Sequence, residues 1–313
     1  MTTAPGPAQF LSAGLMHLRI IVSTILIALL GCAQFAVAAK PISLWMIESD
    51  QAKVYLLGSI HVMRPNMYPL SPPINAAFAD SDVAVFEVDM KTASGLAASR
   101  FMQEKGLYVG HETIFTELSD QTLELLQDYF TSQGIDIAQF ERFRSWMLAV
   151  NIGLIELGKL GLDPAMGIDL HYQTKAKQAG KTILALETFE EQIELLSGDT
   201  PAVQELGLKL SLQHLDETPE FIEMLIGGWA RGDADGMYHA AAADHERHPE
   251  LKAQFERLLD RRNEKMAEKI AAYLKTEQTY FVVVGAMHMG GDKGLLRLLG
   301  EAQEIQQIRY SPE

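Results

Sequence analysis

The sequence is poor in cysteine, in basic residues and in the signatures of common enzymes. Cys32 is the single cysteine. This excludes an intrachain disulfide, a thiolate zinc site and an iron–sulfur cluster. Lys and Arg number 26 against 41 Asp and Glu, a net charge of −15. No Lys/Arg cluster stands out, so nucleic acid is not an expected partner. There is no HExxH, no Gly-x-Ser-x-Gly elbow, no Walker A sequence and no G-x-G-x-x-G run, which leaves the helix-borne zinc proteases, serine hydrolases and nucleotide folds without support. What is present is ordinary for a globular chain. Hydrophobic residues are 48%, with 24 glycines and 12 prolines in 313 residues, so a disordered or low-complexity chain is excluded.

No acidic residue precedes Lys40, and Arg19 is the one arginine there. Ile20 to Leu30 is almost continuously apolar. That run is too short for a hydrocarbon core of about 30 Å but suits a signal-peptide core. Ala36-Val37-Ala38 is a small-x-small cleavage pattern, whereas Leu29-Leu30-Gly31-Cys32 resembles a bacterial lipoprotein box. Residues 1–39 therefore read as a signal peptide or lipoprotein leader, with Cys32 as the lipidation site in the second case. The protein is expected to be exported, either periplasmic or anchored to a membrane by lipid.

Residues 40–313 show no clean linker and read as a single domain. Ser43–Ser49 and Lys53–Leu57 form a hairpin pattern feeding a buried strand. Val83–Val88, Thr182–Leu186 and Thr279–Val284 are further strand patterns, and Ile305–Tyr310 reads as an edge strand. Helical spacing occupies Gln121–Phe130, Phe140–Leu160, Asp169–Ala179, Phe189–Leu196, Val203–His214 and Pro219–Gly228, the last expected to break at Gly227-Gly228. Leu251–Leu274 reads as one long amphipathic helix, and Gly294–Leu299 as a short one. The expected class is α/β (α+β): a central mixed sheet with a large helical insertion.

Two strand patterns share an ending. Val54–Leu57 runs into Gly58-Ser59-Ile60-His61, and Phe281–Val284 into Gly285-Ala286-Met287-His288. Ligands of α/β sheets bind beyond the carboxyl ends of strands, so these histidines could meet on a metal or a reacting group, or be two unrelated structural histidines. Two more strands end in acid, at Glu87 and Glu187. A buried carboxylate needs a partner. A metal, another cation or an arginine would serve, and Arg262 is the candidate arginine. His171 reads as a structural helix histidine, and His239, His245 and His248 as solvated.

The chain resembles the TraB/GumN family from about Ser43 to Ile308. The likeness is carried by LLGSIH (Leu56–His61), FEVD (Phe86–Asp89), MGIDLH (Met166–His171), LETFEEQ (Leu186–Gln192), RRN (Arg261–Asn263) and VVGAMHMGGDKGLL (Val283–Leu296). That family is similar to Tiki-type metalloproteases and, more distantly, to erythromycin-esterase-like and ChaN-like (EreA/ChaN-like) proteins. The resemblance implies a divalent-metal site (Mn, Co or Zn) held by His61, Glu87 and His288. It implies an exported metal-dependent hydrolase acting on a peptide or protein. In that scheme Glu187 is the general base, while Arg262 and Asn263 steady the developing charge. Asp169 is expected to shape or support the crevice, and Glu190 to pair with Arg262 or cap a helix rather than line it. The competing expectation is a non-catalytic envelope protein that binds metal, haem or glycan in the same crevice, or an accessory of polysaccharide assembly.

Overall fold

The computed structural model describes residues 39–311, apart from the side chains of residues 244–246. Among the described residues, six strands form one sheet: β1 (Lys40–Glu48), β2 (Lys53–Ser59), β3 (Val83–Phe86), β4 (Thr182–Ala185), β5 (Thr279–Gly285) and β6 (Ile305–Tyr310). Their order is β4-β3-β5-β2-β1-β6. Strands β4, β3, β5 and β2 run parallel. Strand β1 folds back antiparallel on β2 with Leu44 opposite Leu57, and β6 lies antiparallel to β1. The sheet is therefore mixed, and the fold is α+β with substantial helical content.

The topology has one feature that builds the site. Strand β5 is the last of the parallel set in the chain but sits between β2 and β3. All four parallel strands consequently deliver their carboxyl ends to the same edge of the sheet. Parallel strands are covered on both faces and so read as continuous apolar runs, as VAVF and YFVVV do here. On one face Val85, Val282 and Val284 pack with Met266 and Ile270 of helix Arg261–Tyr273. On the other, Phe86, Phe281 and Val283 pack with Phe78 of helix Pro72–Asp80 and Tyr172 of helix Ile168–Gln178. A separate cluster of Leu126, Phe130, Leu148, Ile152, Leu208 and Leu212 holds the helical insertion together. It joins helices Asp120–Ser132, Ser145–Lys159 and Pro201–Gln213.

Two helix expectations are corrected. The Leu251–Leu274 helix is not continuous. A 3-10 turn (Pro249–Leu251) and a short helix (Lys252–Phe255) lead into a π-helical turn, Glu256–Asp260, before helix Arg261–Tyr273 begins. Such π turns are frequent at functional sites, and this one directly precedes Arg262. Conversely, Gly227-Gly228 breaks nothing, and helix Thr218–Ala230 runs through both. A Cβ at Gly228 would lie 2.8 Å from Met237 Cγ, so that glycine serves close packing. Helices Leu96–Gly106 and Ala234–Arg247 add to the expected set; their small and polar residues give weak apolar periodicity in the sequence.

Candidate functional site

The carboxyl edge gathers the strand-end residues into one cluster, but the two Gly-x-x-His endings are not equivalent. In the β2–β5 register Ser59, not Gly58, lies opposite Gly285. The endings are thus offset by one residue, and their histidines enter different environments. His288 falls in the buried 3-10 turn Ala286–His288 and is 4% exposed. The His61 side chain is 67% exposed. The two still approach each other. A Cβ built on Gly285 would lie 3.2 Å from Glu87 Oε1, 3.4 Å from His288 Cδ2 and 3.7 Å from His61 Nε2. Gly285 is therefore the bare spot around which the three side chains stand.

Each histidine is oriented by a second residue. Asn263 is fully buried; its Nδ2 donates to the Lys293 carbonyl at 2.9 Å. Its Oδ1 then faces His288 Nδ1 at 2.6 Å, which requires the Nδ1–H tautomer and leaves Nε2 bare. Burial pushes His288 down to about 4, with the Arg262 charge adding to the effect, so the ring is neutral at physiological pH. His61 Nδ1 is 2.9 Å from Asp169 Oδ2. The hydrogen bond to Asp169 and its charge raise His61 to about 9. Ser59 Oγ donates to the other Asp169 oxygen at 2.7 Å.

Helix Ile168–Gln178 presents Asp169 because its amino end is joined to the His61 segment. The Ile168 N–H donates to the Ile60 carbonyl at 3.0 Å. A Cβ at Gly167 would come within 2.4 Å of the His61 carbonyl oxygen. Gly167→Ala is therefore expected to cost about 1–3 kcal/mol through overpacking. It should also return His61 toward its ordinary 6.5. Wild-type thermal unfolding with an unchanged His61 titration by NMR would contradict this contact.

The carboxylates are held by arginine. Pairing of β3 with the β4 segment continues past the strands, with the Glu187 N–H donating to the Glu87 carbonyl at 2.8 Å. This sets the two side chains side by side. Arg262 Nε donates to both Glu187 oxygens at 3.0 Å, and Nη2 donates to Glu187 Oε2 and Glu87 Oε2 at 2.7 Å each. Its Nη1 donates to the Leu258 carbonyl of the π turn at 3.0 Å. Glu87 Oε1 accepts the Gly285 N–H at 2.6 Å, and Oε2 also accepts from Gln192 at 2.9 Å. Burial opposes ionisation of Glu87, yet its positive neighbours and the Gly285 N–H hold it down to about 2. Because His288 is neutral above about pH 4, Arg262 and His61 are the counter-charges acting at neutral pH.

The expected metal centre is corrected by this wiring. Among the described residues, no group of three or more His, Cys, Asp and Glu side chains is placed to hold a metal ion. The position of a cation beside Glu87 is taken by the Arg262 guanidinium. His288 Nε2 stands 3.9 Å from Glu87 Oε1. The metal-dependent hydrolase and its Mn, Co or Zn cofactor are withdrawn with the site. Glu187, expected as a general base, has both oxygens bound to Arg262, and Asn263 orients His288. Glu190 is exposed on helix Phe189–Ser197. His171 packs between the Tyr68 and Tyr172 rings, in keeping with a structural role. Cys32 and both cleavage patterns lie outside the described residues. Sequence reasoning assigned no role to Gln192; its signal was the helix start after the N-cap Thr188, which turns the first helical turn toward the carboxylates.

Beside the cluster lies a feature the motifs did not announce. An apolar groove of about 370 Å³ opens between helices Ser145–Lys159 and Thr218–Ala230, with His61, Ser59 and Gly285 at its floor. Val150, Leu154 and Leu157 of the first helix and Ile222 and Ile226 of the second line it, together with Met287. Val150 and Leu154 are each 43% exposed. The second helix is fixed to the sheet through Trp229, whose Nε1 donates to the Gly58 carbonyl at 2.7 Å, while Ser43 Oγ donates to the Trp229 carbonyl at 2.7 Å.

Comparison with known proteins agrees with the motif pattern. The chain is 25% identical over 254 residues to the uncharacterized protein YbaP of Escherichia coli (strain K12), covering 78% of this chain and 87% of the relative. YbaP of Shigella flexneri matches with the same figures. No solved structure matches significantly. The model of the TraB/PrgY/gumN family spans residues 43–304, a stretch that contains every strand-end residue described above, and the chain belongs to that family.

Proposed function

We propose that this protein is an exported, non-catalytic ligand-binding protein of the cell envelope. Its ligand is amphipathic, with the apolar part in the groove and the polar end at His61. The observation that supports this reading is the contrast between the two halves of the site. The polar half is internally satisfied: Arg262 clamps Glu87 and Glu187, Asn263 holds His288, and Asp169 holds His61. The apolar half is an open aliphatic groove. Concave sites with mostly apolar walls and a few fixed polar groups are the usual form of small-molecule pockets. An aliphatic lining offers a glycan few hydrogen-bond partners, which favours a ligand with an apolar part over the glycan expected as one option from the sequence.

Export rests on the leader, with Arg19, the Ile20–Leu30 run and either Ala36-Val37-Ala38 or Cys32. The wider kinship to erythromycin-esterase-like and ChaN-like folds belongs to the same proposal. It rests on the motif resemblance and is compatible with the mixed sheet.

Isothermal titration of the full chain with dodecanoate tests the reading. Saturable one-to-one binding is expected, weakened at least tenfold by Leu154→Glu. Leu154 is exposed, so this variant should keep wild-type thermal unfolding. No heat of binding in the wild type, or equal affinity in the folded variant, would refute the groove.

A further inference from the structure

The groove is bounded on one side by Gly153, in the middle of helix Ser145–Lys159. A glycine inside a helix costs roughly 0.5–1 kcal/mol relative to alanine. Where packing demands it, the reason is visible, as at Gly228 against Met237. At Gly153 no such reason exists, because a Cβ there would meet nothing within 4 Å. What the missing side chain leaves is open space. Gly153 also lines a second cavity of about 400 Å³, together with Ala149, Ile152 and Glu156 of the same helix.

That second cavity is more polar than the first, with His214, Arg247 and Gln254 in its lining, but part of its wall is apolar. Ala149, Ile152, Leu210, Leu215 and Phe221 contribute apolar walls, and polar residues such as Glu156 and Glu217 stand among the rest. Phe221 lines the second cavity and Ile222 the groove, so helix Thr218–Ala230 contributes to both spaces. Gly207 of helix Pro201–Gln213 lines the second cavity and is likewise free of neighbours around its Cβ position. Two helices thus omit side chains where these spaces open.

Resting on the amphiphile reading above, we propose that the groove and the second cavity form one continuous channel over Gly153. Its ligand is a long, single aliphatic chain with a carboxylate head. The head lies at the His61 end, where Nδ1 is taken by Asp169 and Nε2 stands beside Gly285. The chain runs along Leu154 and Ile222 and passes Gly153 into the space lined by Ile152 and Phe221. This geometry makes chain length the selected property, since each methylene beyond the groove gains burial only if the passage is open.

The test is a chain-length series of octanoate, dodecanoate and hexadecanoate titrated into the full-length wild type and Gly153→Leu. In the wild type, affinity is expected to rise about three- to fourfold per added methylene through hexadecanoate. In Gly153→Leu the rise should stop and hexadecanoate should bind at least tenfold more weakly; unchanged octanoate binding is expected of Gly207→Leu, because Gly207 does not line the groove. Leucine is a better helix former than glycine and has open space here. Gly207→Leu, which fills only the second cavity, should truncate the series in the same way. Identical chain-length dependence in wild type and both variants would overturn the channel and leave the groove reading standing. Failure of the wild type to bind even octanoate would overturn the groove and the channel together.

Discussion

Arg262→Ala should destabilise the protein by about 3–5 kcal/mol, the cost of leaving buried carboxylates without their partner. Glu87 and Glu187 are each 7% exposed. Their bonds to the guanidinium replace the water that both lost on folding. Alanine removes three charge-assisted hydrogen bonds to Glu187 and one to Glu87, and it also frees the Leu258 carbonyl. Arg262→Lys should recover only part of the loss, because a point charge cannot reproduce a planar fork that spans two carboxylates. The combination Arg262→Met, Glu87→Gln and Glu187→Gln removes all three charges and should recover most of it. Urea unfolding checks the series. An Arg262→Ala variant within about 0.5 kcal/mol of wild type would mean that these ion pairs do not hold the edge together.

The second large effect is a stability maximum near pH 6.5 with a separate cause for each limb. His288 is depressed from 6.5 to about 4 in the fold. Its contribution is fully present above pH 6.5 and is lost as the pH falls through about 4. Glu87 is depressed from 4.5 to about 2; its share is present above pH 4.5 and lost as the pH falls through about 2. By linkage each shift corresponds to something on the order of 3 kcal/mol. His61 acts in the opposite sense. Its value is raised from 6.5 to about 9, so its contribution is complete below pH 6.5 and lost as the pH rises through about 9. The His61 part is small, because the side chain is 67% exposed and solvent screens the pair. His288→Gln should flatten the limb between pH 6.5 and 4 and also weaken the Glu87 limb, because the charge His288 carries below about pH 4 is the largest of those holding Glu87 down. An acid limb that is the same in wild type and His288→Gln would contradict the assignment.

The sheet was legible because its strands are short apolar runs bounded by turn residues. Even the edge strand Ile305–Tyr310 has the expected limits. The clustering was legible too, since strand ends in a parallel sheet share an edge and four of them end in His or Glu. What divided the readings was the identity of the cation. A metal ion and a guanidinium neutralise a buried carboxylate equally well in a sequence pattern. Arg262 stands 175 residues from Glu87, so only the fold could choose between them. The one-residue offset between the two Gly-x-x-His endings was equally hidden, because register is set by strand pairing. The groove was the least legible feature. Its walls come from helices Ser145–Lys159 and Thr218–Ala230, and in sequence their Leu, Ile and Val look like core.

Long-range 1H–15N spectra of the histidines at pH 7, recorded during a dodecanoate titration, test the division between a closed polar cluster and an open groove. His288 should appear as a single neutral Nδ1–H tautomer held by Asn263, unmoved by ligand behind Gly285. His61 should be doubly protonated, and its signals should shift to saturation as the groove fills. A protonated His288, a change in its tautomer on titration, or a His61 that stays still at saturating ligand would contradict that division.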